Sequence, residues 1–138
     1  MRIFDRFRKK KKEEVKEVIT DLEKICGGEK KVYEALLNTM FLCPWKIEIE
    51  TSMGEVVKKA KEFEKSGDTV RTRMWYETAG GLAIYHGNVA KVRKYFGKCE
   101  ELSNEKYPIL KIPEKAVKKA QEYYLKYPKA EEKKKEEK

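Results

Sequence analysis

Two glycine–polar pairs constrain this chain more than any other feature: Gly67-Asp68 and Gly87-Asn88, twenty residues apart. Glycine accepts the left-handed backbone that closes a helix C-terminus. Asp or Asn then offers a side-chain oxygen to the free N–H groups that open the next helix. Each pair therefore stops one helix and starts another within a tight turn. Between and after them, Tyr76, Ala79, Gly80, Ala83, Val92, Phe96 and Cys99 fall at helix-packing spacings. The pattern predicts a helical hairpin, with one arm over about Thr69 to His86 and the other from Val89 to about Leu102.

The same reading extends along the chain. Val15, Val18, Ile19, Leu22 and Ile25 make one stripe of a helix over Lys12 to Cys26, ended by Gly27-Gly28. Val32, Tyr33, Leu36, Leu37, Met40 and Phe41 predict a second, antiparallel helix from about Glu29 to Leu42, blocked by Pro44. Ser52 and Glu55 form a capping box for a third helix, to about Ser66. Ile47 and Ile49 alternate with charges in residues 45–52, but no second alternating run exists to pair with them. That stretch reads as an extended connector or an irregular helical turn. Tyr107 to Pro113 reads as an extended, proline-framed connector with Ile109 and Ile112 laid on the body. A sixth helix then runs to about Lys126, offering Ala116, Val117, Ala120, Tyr123, Tyr124 and Tyr127 to the core. Gly80 and Gly81 leave two readings of the fourth helix: continuous, with close packing against a bare backbone, or broken there.

The expected fold is all-α, a compact bundle of five or six antiparallel helices with a repeat-like helical hairpin. At 138 residues the chain has room for one modest core. A basic flexible arm over 1–12, a helical domain over 13–127 and a charged, disordered tail over 128–138 are expected.

Charge sharpens this. Charged residues are 41% of the chain, against the usual quarter, with Lys and Glu dominant and Gln121 the single glutamine. That bias fits a hyperthermophile or one of its viruses. The net charge is +9, of which +6 lies in residues 1–12 and +4 in residues 111–138, leaving the middle nearly neutral at −1.

Catalytic and metal chemistry find no support. Cys26, Cys43 and Cys99 lack metal-knuckle spacing, and their odd number with no secretory leader pattern reads as a reducing, cytoplasmic setting. His86 is the only histidine and has no organised partner in the sequence. No nucleotide-binding glycine pattern or paired-acid constellation exists. No catalytic residue, no metal site and no cofactor are assigned, and the chain is not expected to be an enzyme.

Tyr76-x2-Ala79-Gly80-x2-Ala83, a helix break at Gly87 and Val92-x3-Phe96-x2-Cys99 together resemble the tetratricopeptide repeat over residues 69–104, about a quarter of the chain. The sequence departs from that repeat at Val92, where alanine is usual, at Ala83, where tyrosine is usual, and at Asn104, where the terminal proline is missing. A stable open superhelix needs about three units, so a compact bundle is favoured. The resemblance implies a protein-binding or adaptor module. Arg71, Arg73, Trp75, Tyr76 and Tyr85 are the candidate contacts, with Arg71 four residues from Trp75, where a guanidinium can rest on the indole. The alternative is a nucleic-acid-associated protein contacting phosphates through Arg2, Arg6, Arg8, Lys9, Lys10, Lys11 and Lys12 and the Lys-rich C-terminal end. Ile3, Phe4 and Phe7 among these cations also suit weak contact with an anionic membrane surface. Exposed Trp and Tyr would make a homodimer reasonable.

Overall fold

The computed structural model describes residues 19–42 and 52–126. The basic arm, the start of the first helix, Cys43, most of the alternating 45–52 run and the charged tail lie outside the described residues. Helix α1 covers residues 19–26, α2 is Lys30–Leu37, α3 is Met53–Ser66, α4 is Thr69–His86, α5 is Val89–Leu102 and α6 is Pro113–Lys126. A 3-10 turn at Pro108–Lys111 precedes α6. Among the described residues there is no strand, and the fold is all-α.

The glycine–polar pairs behave as their chemistry dictates. Gly67 (φ 78°) and Gly87 (φ 73°) are left-handed, and each closes its helix with the same two backbone bonds. Asp68 N–H donates to the Phe63 carbonyl and Gly67 N–H to the Glu64 carbonyl; Asn88 and Gly87 repeat this on Ala83 and Ile84. Asp68 then accepts from Arg71 N–H at 3.1 Å, and Asn88 from Lys91 N–H at 3.1 Å. Ser52 accepts from Glu55 N–H at 3.2 Å at the start of α3. Joints of two residues force α3, α4 and α5 into an antiparallel succession, so α3 and α5 run the same way, both packed on α4.

Helix α4 is the centre of the bundle and packs on α3, α5 and α6. Tyr76 and every residue from Ala79 to Ile84 are buried. The helix is continuous through Gly80 and Gly81. A side chain on Gly80 would stand 2.5 Å from the Phe96 ring, and one on Gly81 would stand 2.8 Å from the Phe41 ring. The paired glycines thus admit one aromatic ring each from α5 and from the segment after α2.

Two expectations are corrected. Helix α2 ends at Leu37, not near Leu42. Thr39 Oγ1 donates to the Ala35 carbonyl at 2.6 Å, and Thr39 and Met40 N–H both turn back to the Leu36 carbonyl, the local competition that Thr and Asn offer a helix. The freed carbonyls of Phe41 and Leu42 accept from the phenols of Tyr124 (2.6 Å) and Tyr123 on α6. The Tyr107–Pro113 connector is also less extended than expected, because Leu110 N–H reaches back to the Tyr107 carbonyl and Ile112 N–H to that of Ile109. Ile109 is fully buried and Ile112 half-buried, as the pattern required. Helix α6 buries Ala116, Val117, Ala120, Tyr123 and Tyr124.

Candidate binding groove

A concavity lies between α3 and α5. It encloses about 640 Å³ and is lined by Met53, Gly54, Val57, Lys58, Lys61, Glu62 and Lys65 from α3, and by Lys91, Lys94 and Tyr95 from α5. The composition follows from helical geometry. Lys58, Lys61 and Lys65 stand at i, i+3 and i+7 and form one row along α3; Lys91 and Lys94 form a shorter row on α5. Met53 and Val57, four apart, are half-buried against the core and form an apolar strip beside the lysines.

The floor is fixed from behind. Tyr95 is 6% exposed and stacks on Tyr76 of α4, with ring centroids 6.1 Å apart and planes 22° apart. Burial raises the pKa of Tyr76 above its usual value, with Glu64 adding to the effect, so its phenol stays neutral. The Lys94 ammonium lies 5.9 Å from the Tyr95 ring centre. At the far end, Lys98 of α5 meets Glu64 of α3 at 3.7 Å and ties the two walls together.

Five lysines face one carboxylate, Glu62, along this groove. Among the described residues, Lys58, Lys61, Lys65 and Lys91 enter no ion pair. The groove is a concentration of uncompensated positive charge over an apolar strip, set in a domain whose middle is nearly neutral.

The residues singled out from the sequence are dispersed. Tyr76 is 3% exposed and supports the groove from beneath rather than lining it. Arg71 is exposed, lies 5.5 Å from the centre of the Phe63 ring and pairs with Asp68 at 3.5 Å. Trp75 is half-buried against the core. Tyr85 is half-buried with its ring edge-on to Tyr124, centroids 4.7 Å apart.

Arg73 belongs to a structural network. Its Nε donates to Glu77 at 3.1 Å and to the Tyr107 hydroxyl at 3.2 Å, and its Nη2 donates to Glu105 at 2.7 Å. The Tyr107 hydroxyl in turn donates to Glu77, and Tyr107 N–H donates to Glu100 at 2.8 Å. Bonding to Glu77 and then to Tyr107 holds the guanidinium in its charged form. This cluster fastens the chain after α5 to α4. It commits the Nε and Nη2 of Arg73 to partners within the molecule.

Sequence reasoning missed the five groove lysines. Each row, taken alone, is an ordinary solvated helix face. The signal was the pair of two-residue joints, which place α3 and α5 on adjacent flanks of α4 and turn two separate rows toward each other.

Cys99 is fully buried, donates to the Arg73 carbonyl at 3.7 Å, and has its pKa pushed up to about 12 by burial. Such a thiol is inert at neutral pH. Among the described residues, no three His, Cys, Asp or Glu side chains converge to hold a metal, and no helix is long and apolar enough to cross a membrane. Searches of family models, curated proteins and solved structures find no match to this chain.

Proposed function

We propose that the protein is a non-enzymatic protein-binding module whose α3–α5 groove holds an acidic segment of a partner polypeptide. One observation carries the reading: five lysines on two adjacent helices line a groove of about 640 Å³ with a single opposing carboxylate. The tetratricopeptide-like pattern of residues 69–104 supports it, since short helices stacked on flanking partners leave such grooves at their seams. The recognition surface moves from the Arg71–Tyr85 set to Lys58, Lys61, Lys65, Lys91 and Lys94. Of the first set, Tyr76 is buried and Arg73 is bonded to Glu77, Tyr107 and Glu105.

A protein partner is favoured over a nucleic acid by the lining. No arginine lines the groove, and its one aromatic residue, Tyr95, is buried against Tyr76 and offers no stacking platform for a base.

The test is fluorescence anisotropy with labelled polyglutamate and, in parallel, a labelled single-stranded oligonucleotide. The wild type, Lys61→Glu/Lys65→Glu and an off-groove control, Lys111→Glu/Lys118→Glu, are compared at low and physiological salt. The expected result is polyglutamate binding that falls with salt and is lost in the groove variant only. Equal loss in the control, or a preference for the oligonucleotide, refutes the reading.

A further inference from the structure

We infer that the groove recognises an acidic segment carrying one apolar anchor residue, and that the anchor seats on Met53, Val57 and the edge of Tyr95. This rests on the proposed function and specifies its partner.

Exposed charge pairs are individually weak. Lys58, Lys61, Lys65, Lys91 and Lys94 are all solvent-exposed, and each pairing made there is screened and contributes little. Charge alone would give a loose, register-free association. The groove offers more than charge. Met53 and Val57 leave part of their apolar surface uncovered by the core, one helical turn apart, beside the lysines of the groove. Nothing in the fold completes their burial among the described residues. Gly54, beside Met53 on the same wall, has among the described residues only the Ser52 hydroxyl within 4 Å of the place a side chain would occupy. At the other end of the groove Lys98 pairs with Glu64.

A bound segment is therefore read in two ways. Carboxylates on either side meet the lysine rows, and the apolar residue between them fixes the register. The volume, about 640 Å³, suits a few side chains and not a whole helix. The rigid floor given by the Tyr76–Tyr95 stack means the anchor site exists before the partner arrives.

The probes are short synthetic peptides: acidic residues around a central leucine, the same peptide with serine in place of leucine, and a neutral peptide retaining the leucine. The leucine-containing acidic peptide should bind about tenfold more tightly than its serine counterpart, the return expected for burying one such side chain. The neutral peptide should not bind measurably. Met53→Ala should narrow the leucine-to-serine ratio toward one while leaving the serine peptide unchanged. Lys61→Glu/Lys65→Glu should abolish both. Because the decisive comparison changes the peptide, it holds even if Met53→Ala folds poorly. Equal affinities for the two acidic peptides overturn the anchor while sparing the acidic-partner reading. No binding of either acidic peptide overturns both.

Discussion

Replacing Gly80 with alanine tests whether α4 needs a bare backbone where α5 crosses it. In an unobstructed helix the change gains about 0.8–1 kcal/mol, from the lower entropy lost on folding. At Gly80 the new Cβ would stand 2.5, 2.6 and 2.9 Å from three atoms of the Phe96 ring. Real Cβ contacts are not that short, so the ring must move. Phe96 is 1% exposed and lies against Tyr107, with ring centroids 5.5 Å apart. Tyr107 is itself held by Glu77, Arg73 and Glu100. Overpacking of this kind costs about 1–3 kcal/mol, so the net effect runs from about neutral to about 2 kcal/mol destabilising. Gly97 on α5 is the control, because a Cβ there meets nothing within 4 Å. Gly97→Ala should stabilise by about 0.5–1 kcal/mol. Urea unfolding of both variants should shift the midpoint in opposite directions, or leave Gly80→Ala unmoved while Gly97→Ala gains. Pairing Gly80→Ala with Phe96→Leu, which shortens the obstructing side chain, should recover part of the loss in a double-mutant cycle. If Gly80→Ala stabilises as much as Gly97→Ala, the close approach of α4 and α5 does not constrain the sequence.

Two further expectations follow from side chains that act between elements. Gln121 of α6 donates from Nε2 to the carbonyls of Ile84 (2.7 Å) and Tyr85 (3.0 Å), closing the C-terminus of α4. Gln121→Ala should cost about 1–2 kcal/mol in urea unfolding, and Gln121→Glu at least as much, since a carboxylate cannot donate and faces the negative helix end; a neutral Gln121→Glu would contradict this capping. Alkaline pH should weaken the fold: Cys99 is raised to about 12 in the native state against 9.0 ordinarily, so the unfolded chain loses that proton first and stability falls as pH climbs from about 9 toward 12. Burial raises Tyr107 and Tyr124 in the same direction, which steepens the fall above about pH 10. Unfolding midpoints at rising pH should show this, and Cys99→Ala should flatten its first part; an unchanged slope would remove the thiol from the account.

Much of the fold was legible because its punctuation is local. A glycine at positive φ and an Asn or Asp cap act within four residues, so α3, α4 and α5 start and stop where the sequence says. The end of α2 was not legible. It depends on Thr39 turning back on its own helix and on Tyr123 and Tyr124 arriving from α6, more than eighty residues away, to satisfy the Phe41 and Leu42 carbonyls. The 3-10 turn at Pro108–Lys111 follows similarly from fitting Ile109 into the core. For the aromatic and arginine candidates, residue type alone did not separate surface from support. Tyr76 and Tyr85 carry polar hydroxyls yet pack on Tyr95 and Tyr124, and Arg73 is absorbed by one acid more than thirty residues distant, Glu105, as well as by Glu77.

The unpaired state of the groove lysines gains meaning from what the other cations do. Where Arg73, Arg93, Lys98, Lys115 and Lys126 reach another part of the molecule, each meets a carboxylate: Glu105, Glu114, Glu64, Glu29 and Asp21 in turn. The chain therefore has acids to spare at most of its seams. Along the α3–α5 groove, beside that one Lys98–Glu64 pair, it sets Lys58, Lys61 and Lys65 opposite Lys91 and Lys94 with Glu62 as the one acid of the lining. Like charges across a groove oppose its closure, and the Lys98–Glu64 tie and the Tyr76–Tyr95 stack hold the walls against that repulsion. An arrangement that resists its own field in this way gains most when an anion enters, because the repulsion is relieved as the new contacts form. That places the groove's stability and its affinity under the same lysines: Lys61→Glu/Lys65→Glu should stabilise the free fold slightly while abolishing capture of an acidic segment, a trade that a purely structural role for these residues would not produce.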